Sequence, residues 1–228
     1  MRGTFQRDFL APGPAPRPTT SRQGLVTSVV HRRPIRASGR LATMNQTARE
    51  FGRLRAVIER RLPETAPFRP GATEHDLERL AAATGLVLPA DLGALLRASA
   101  GQDDPDQLYG PLNFHHFLTI DEIIEMHHML TDAVGDMATP VEQPAYYRWT
   151  VWSKSWLPFL AFQGDCYFLD LDPGERGIGG QVVFRPNVPD LDDPKAPSLT
   201  AFLARAADLI ETGQACTEQS TLVLLDLC

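Results

Sequence analysis

Cysteine and long apolar runs are both scarce in this 228-residue sequence. Its three cysteines, Cys166, Cys216 and Cys228, are odd in number and widely spaced, which excludes a disulfide framework and a Cys-x-x-Cys metal pair. No apolar stretch approaches the about 20 residues that a membrane-spanning helix requires. The stretch 24–30 is too short and too polar for the core of a secretory signal. These absences predict a chain that works in the reducing cytoplasm.

The sequence also lacks the short motifs of common catalytic sites. It contains no Gly-x-Ser-x-Gly nucleophile motif, and the glycine-rich stretch 174–180 lacks the lysine of a phosphate-binding loop. Cys166 opens a run of aromatic and apolar residues, which predicts an inert buried thiol. Glu125 and His128 form one Glu-x-x-His pair, whereas a di-iron bundle needs two such pairs and two further carboxylates. We therefore expect no catalytic residue, no metal and no cofactor.

The net charge of −6 is distributed unevenly along the chain. Residues 1–43 contain eight arginines and one aspartate, a net charge of +7, and the remainder contains 14 basic and 27 acidic residues, a net charge of −13. The acidic remainder argues against nucleic-acid binding by that part of the chain. Residues 1–43 lack any helical or strand period and carry an alternating run of four prolines, which predicts a disordered segment.

Three explanations of the basic segment remain open. It has the composition of an organelle transit peptide, and also that of a short nucleic-acid-binding arm. The explanation we favour is a mis-annotated extension, with translation starting at Met44, because an ordered pattern begins just beyond that residue. The predicted organisation is therefore an extension at 1–43, one domain at 44–213 and a C-terminal tail at 214–228.

Apolar residues recur at helical spacing in five segments, which begin near Arg49, Thr73, Pro89, Thr119 and Ser198. The second and fourth segments open with capping boxes, in which a threonine precedes an acidic residue by three positions. The fifth opens with a serine in the capping position.

A strand-type period lies between the fourth and fifth helical segments. Residues 157–162 and 166–171, joined by the turn 163–165, predict an antiparallel hairpin, and 181–184 predicts a further strand. Helices at both ends of a central group of strands favour an α+β fold. We predict a single domain with a mixed or antiparallel central sheet, flanked by N-terminal helices and a C-terminal helix.

An ordered series of short motifs indicates a family. The motifs are Gly71-Ala72-Thr73, Leu88-Pro89-x-Asp91-Leu92, Gly101-Gln102, Trp156-Leu157-Pro158-Phe159, Gly164-Asp165, Leu169-Asp170-Leu171-Asp172-Pro173-Gly174 and Gly180-Gln181-Val182. Together they resemble the Smi/Knr branch of the SUKH superfamily over roughly residues 50–213.

The resemblance implies a six-stranded or similar sheet flanked by helices, used as a protein-binding module. Bacterial members of the family are mostly immunity proteins that neutralise secreted toxins, many of them nucleases, and fungal members scaffold the regulation of cell-wall glucan synthesis. The family is not associated with enzymatic activity. The motif residues for which it implies a mainly structural role are Gly71, Leu88, Pro89, Gly101, Trp156, Pro158, Asp170, Asp172, Pro173 and Gly180.

The most enzyme-like feature of the sequence is a group of three aspartates. Alternate residues of a strand share a face, so Asp170 and Asp172, with Asp165 nearby, suit a divalent cation in a metal-dependent hydrolase. The alternative is turn chemistry at Asp172-Pro173-Gly174, where an aspartate side chain accepts backbone amide hydrogens. We favour the turn, because no further ligand can be identified in the sequence.

Two sets of residues are candidates for contact with a protein partner. Trp149 and Trp152 lie in a long loop, where they either anchor an interface or hold the loop against the domain. The acidic loop residues Asp103, Asp104, Asp106, Asp190, Asp192 and Asp193 would face the basic active site of a nuclease toxin. The resulting hypothesis is a non-catalytic immunity protein; the alternatives are a regulatory scaffold and, less favoured, the hydrolase.

Overall fold

The computed structural model describes residues 37–103, 109–134, 146–149, 151–186 and 193–227. Five α-helices and six strands form in these residues. In chain order they are α1 (Ala37–Arg61), α2 (Glu74–Thr84), α3 (Ala90–Ala98), β1 (His116–Phe117), α4 (Ile120–Val134), β2 (Trp156–Phe162), β3 (Asp165–Asp170), β4 (Gln181–Arg185), α5 (Leu199–Glu211), β5 (Cys216–Glu218) and β6 (Thr221–Val223), followed by a 3₁₀ turn at Leu225–Leu227. The α+β prediction is confirmed.

The predicted starts of α2 and α4 are confirmed by their hydrogen bonds. The Thr73 hydroxyl accepts the Asp76 amide hydrogen at 3.2 Å, and the Asp76 carboxylate accepts the Thr73 amide hydrogen at 2.9 Å. Thr119 and Glu122 make the same reciprocal pair at the start of α4, at 3.3 and 2.7 Å. Such side chains satisfy amides that have no partner within the helix, and they fix where each helix begins.

Strands β1 to β4 form one antiparallel sheet in sequential order, and β5 and β6 form a separate two-stranded sheet. The implied single six-stranded sheet is therefore divided into four and two strands. Helix α5 covers one face, where Phe202 meets the rings of Phe159 and Tyr167 at 5.6 and 5.4 Å. The other face carries Phe168 and Trp156, whose rings stack at 4.3 Å.

Helix α1 begins earlier than the sequence indicated. It starts at Ala37, so the predicted boundary between residues 43 and 44 falls inside this helix, and residues 1–36 lie outside the described part of the chain. Within α1, Thr47 is fully buried, and its hydroxyl hydrogen-bonds the Thr200 hydroxyl of α5 at 2.6 Å. None of the described helices is both long and apolar enough to cross a membrane.

The prediction of a C-terminal tail at 214–228 is wrong. Strand β6 and the turn after it place Leu222, Leu224 and Leu227 in the core with at most 1% of their surface exposed. The chain that leads into β1 is not continuously extended. Asn113 and Phe114 adopt positive φ angles of 47° and 69°, and β1 is only two residues long.

A pair of leucine substitutions tests whether residues 214–227 belong to the domain. Leu222→Ala should lower the free energy of unfolding by about 2–5 kcal/mol, because it leaves a cavity at a fully buried position. Leu225→Ala, at a side chain that is 74% exposed, should change it by less than about 0.5 kcal/mol. Urea unfolding followed by tryptophan fluorescence measures both. Equal effects would mean that the hairpin does not contribute to the core.

Candidate binding surface

The three aspartates of the hydrolase hypothesis do not form a common site. Asp165 and Asp170 are the two ends of the six-residue strand β3, so their Cα atoms lie about 16 Å apart and their side chains leave opposite faces. Asp170 is fully buried, whereas the Asp172 carboxylate lies beyond the strand end and pairs with Arg148 at 3.2 Å. The less favoured hypothesis, that Asp170 and Asp172 jointly bind a cation, is therefore wrong.

Asp170 instead holds the loop that joins β3 to β4. Its carboxylate accepts hydrogens from the Asp172 amide at 3.1 Å and from the Gln181 side chain at 3.2 Å. The Gln181 amide group also donates to the Tyr146 carbonyl at 3.0 Å and accepts from the Ile178 amide at 3.0 Å. Burial raises the pKa of Asp170 to about 6. The Asp170 carboxylate therefore fixes the backbone geometry of this loop, a role that the turn interpretation had placed at Asp172.

The predicted tryptophan anchors differ in their surroundings. Trp152 is fully buried, packs edge-on against Trp156 at 5.6 Å and donates its indole hydrogen to the Thr131 hydroxyl at 3.2 Å. The expectation that Trp152 is an exposed interface anchor is wrong, since it belongs to the core. Trp149 is half-buried and packs against the core. It stays a candidate for partner contact.

Two of the six predicted acidic loop residues lie within the described part of the chain. Asp103 is exposed and pairs with Arg69 at 2.7 Å, and Asp193 is also exposed. Asp104, Asp106, Asp190 and Asp192 lie outside the described residues. The acidic loops therefore stay a prediction.

The two adjacent histidines of α4 each hydrogen-bond a backbone carbonyl. His127 is buried and hydrogen-bonds the Lys154 carbonyl at 2.9 Å, whereas the neighbouring His128 contacts the Ala83 carbonyl at 2.9 Å. Cys166 is 1% exposed, and burial raises the pKa of its thiol to about 12, so the prediction that this thiol is buried is confirmed. Over the described ranges, no three His, Cys, Asp or Glu side chains come together as a metal site.

An apolar groove that the sequence did not reveal lies between the first part of α1, helix α2 and the start of α3. Its volume is about 350 Å³, and its floor consists of Leu77, Ala81, Leu86 and Leu88. Val87 also lines the groove and is 88% exposed, so the apolar surface of the groove continues onto an exposed side chain. The feature of the sequence that could have indicated the groove is the run of three apolar residues, 86–88, between two helices. Three consecutive apolar residues in a short connection cannot all face the core.

The rim of this groove, hereafter the α1–α3 groove, carries charges of both signs. Arg97 of α3 forms a two-point pair with Glu74 of α2 at 2.6 and 2.9 Å. Arg40 and Glu78 complete the charged rim. An apolar floor inside a polar rim is the usual composition of a protein-binding surface.

A second surface is the outward face of α4, which we name the α4 acidic stripe. Asp121, Glu125, Met129 and Asp132 follow one another at helical spacing, and all four are exposed. Met129 is 54% exposed, and α4 contains no lysine or arginine. The sequence pattern predicted this helix, but it did not single out the exposed face as a binding surface.

The comparisons with known proteins agree with this architecture. The profile of the SMI1 / KNR4 family (SUKH-1) matches residues 71–205, which is more than half of the chain. The chain belongs to this family. No curated protein matches the sequence. The SUKH-1 match runs from the residues before α2 into α5 and leaves out α1 and the β5–β6 hairpin.

Several SUKH-1 motif residues have a clear steric reason for their identity. A Cβ atom on Gly71 would lie 1.9 Å from the Arg97 carbonyl oxygen, where the two chain segments touch. Gly101 has a φ of +95°, and a Cβ atom there would lie 2.7 Å from the Leu118 backbone. Pro89 is the N-cap of α3, and Gly180, with a φ of +89°, donates its amide hydrogen to the Asp170 carbonyl.

The buried carboxylate of Asp170 predicts a pH dependence of stability. Its folded-state pKa, about 6, lies above the ordinary aspartate value of 3.8, so its stabilising contribution is complete below pH 3.8 and is lost as pH rises through 6. Relative to Asp170→Asn, the native chain should therefore lose about 3 kcal/mol between pH 3.5 and pH 7.5. Urea unfolding of both proteins across this range measures the difference. Asp172→Asn is the control, and a pH-independent difference for Asp170→Asn would contradict the assignment.

Proposed function

We propose that this SUKH-1 chain is a non-catalytic, stoichiometric binder of another protein, and specifically an immunity protein that neutralises a secreted toxin with a basic active site. The observation that carries the proposal is the α4 acidic stripe. It combines three carboxylates with one exposed apolar side chain, Met129, on a helix without a basic residue.

The charge of the stripe is available to a partner. Asp121 pairs with Arg79 of α2, but within the described residues Glu125 and Asp132 make no ion pair. Carboxylates held on a rigid helix attract a basic surface over several ångströms and raise the rate of encounter with it. A nuclease active site is basic because it binds phosphate, so an acidic surface is complementary to it and repels nucleic acid.

The α1–α3 groove supports the same kind of function. An exposed aliphatic residue such as Val87 loses contact with water when a partner covers it, and that burial stabilises a complex. Binding energy at interfaces is concentrated in a few such positions within a polar rim. The groove and the stripe lie on the two flanks of α2, since Glu78 lines the groove and Arg79 reaches α4.

A hydrolytic function has less support from the same structure. The hypothesis required convergence of Asp165, Asp170 and Asp172, and strand β3 keeps the first two at opposite ends. The regulatory scaffold in cell-wall glucan synthesis would use the same kinds of binding surface. It differs from immunity in the identity and the activity of the partner.

Affinity capture with the full-length chain tests the proposal. We expect retention of a toxin domain in a 1:1 complex and complete loss of the toxin's activity at one equivalent of this chain. Calorimetry gives the stoichiometry, and a nuclease assay gives the inhibition. Retention of a synthase or kinase whose activity is modulated would favour the scaffold instead. If a small amount of the chain converted many equivalents of the captured partner into a chemically altered product, the chain would be an enzyme.

Charge reversal on α4 tests which surface is used. Glu125→Lys combined with Asp132→Lys should weaken partner binding at least about 10-fold, mainly through slower association, because it replaces attraction with repulsion. The effect should shrink in 1 M salt, where the screening length falls to about 3 Å. The control, Glu175→Lys combined with Glu218→Lys, has the same charge change on exposed residues away from α4. Equal losses for both double variants would exclude the stripe as the specific contact.

A further inference from the structure

Three aromatic side chains form a half-buried group at the end of β2, which we name the ring cluster. Tyr109 lies 5.3 Å from Phe114 and 5.7 Å from Phe162, and the rings of Phe114 and Phe162 are 5.8 Å apart. All three are neither fully buried nor fully exposed. The cluster continues inward through His115, which contacts Phe162 at 6.1 Å.

The backbone that presents Phe114 is strained. Phe114 has a φ of 69° and follows Asn113 at 47°, a left-handed conformation that a bulky side chain rarely adopts. Such conformations persist only where surrounding contacts hold them, and they concentrate at functional sites.

The C-terminal hairpin supplies the contacts that hold this strain. The Asn113 amide donates to the Leu222 carbonyl at 2.9 Å, and the Phe114 amide donates to the Thr221 hydroxyl at 2.9 Å. The Asn113 side-chain oxygen accepts the Leu224 amide hydrogen at 2.6 Å. The left-handed turn is therefore fixed by residues more than 100 positions away.

Burial of apolar surface does not account for the strained turn. The neighbouring side chains of Leu112 and His115 are 2% and 4% exposed and fill the core, whereas the Phe114 ring stays half-buried. The left-handed conformation thus directs an aromatic ring toward the surface beside Tyr109 and Phe162.

The chemistry around the ring cluster suits a cation. Asp165 lies opposite Phe162 across the β2–β3 turn, and its charge acts on His115. Burial lowers the pKa of His115 to about 4, so this ring carries no charge at neutral pH that would repel a cation. At the inner edge of the same aromatic group, the Lys195 ammonium lies 5.9 Å from the Phe184 ring, which contacts His115 at 5.7 Å. Ring faces beside a carboxylate attract guanidinium and ammonium groups.

We propose that the ring cluster is a docking site for an arginine side chain of the protein partner, with Asp165 as the counter-charge. Arginine fits better than lysine, because its planar guanidinium stacks on a ring while donating hydrogens to a carboxylate. The chain uses this stacking elsewhere, since the Arg176 guanidinium lies 4.8 Å from the Tyr146 ring. The inference rests on the proposed function, and it adds the chemistry of one contact.

The ring cluster is tested first without the partner. The ¹⁵N-labelled full-length chain is titrated with the peptide acetyl-Gly-Arg-Gly-amide and, separately, with the same peptide carrying uncharged citrulline. We expect saturable shifts of the amide signals of Tyr109, Phe114 and Asp165, and about 3-fold tighter binding of the arginine peptide. Equal responses to both peptides, or shifts confined to other residues, would overturn the proposal.

A substitution at Phe114 provides a second, independent test. Phe114→Asn removes the ring and inserts a residue that tolerates positive φ, so the native fold and its unfolding midpoint should be retained. Arginine-peptide binding should be lost, and the affinity for a captured partner should fall several-fold. The control is Ile178→Asn, which removes an exposed apolar side chain from another loop.

The peptide titration and the Phe114 substitution distinguish a failure of this inference from a failure of the proposed function. Loss of partner binding in the α4 double variant, with no effect of Phe114→Asn and no arginine preference, would exclude the ring cluster and leave the proposed function intact. Absence of any retained partner, together with arginine binding that Phe114→Asn abolishes, would contradict the proposed function alone.

Discussion

Two helices of this fold begin at one buried carboxylate. Asp91 is 8% exposed, and its oxygens accept the amide hydrogens of Leu92 in α3 at 2.9 Å and Leu199 at the start of α5 at 3.2 Å. Each helix start carries about half a positive elementary charge, which compensates a carboxylate that burial would otherwise destabilise. Burial raises the pKa of Asp91, while these amide hydrogens favour its ionised form. The contact between Asp91 and the Leu199 amide positions α5, and the sheet and helices α1 and α3 pack around α5.

The carboxylates of the chain therefore have two distinct tasks. Asp91 and Asp170 are buried and accept backbone amide hydrogens, so they determine where helices and loops begin. Glu125 and Asp132 are exposed on α4, where they contribute to the negative electrostatic potential around the protein surface. Residue type alone does not distinguish these tasks, which explains why the sequence placed Asp170 among possible metal ligands.

The features that were predicted correctly depend on residues close together in the sequence. The features that were predicted wrongly depend on contacts between residues far apart in the sequence. The capping boxes at Thr73 and Thr119 and the β2–β3 hairpin depend on residues close in sequence, so their patterns predicted them. The family was also recognisable, because its motifs recur in order. The burial of Trp152 and the docking of residues 214–227 depend on partners far along the chain. The Asn113 side chain, for example, meets Leu224 across 111 positions, and no periodicity in the sequence encodes such a contact.

The β5–β6 hairpin has a consequence for how the protein is made. Its leucines complete the core, and its backbone fixes the turn at Asn113, so this part of the fold cannot close until residue 227 has been synthesised and has left the ribosome. Pairing of α1 with α5 imposes a similar delay, because Thr47 meets Thr200 across 153 positions. Contacts of such separation slow folding. Until these distant segments meet, apolar surface stays exposed, which makes the yield of the protein in the cell sensitive to chaperones.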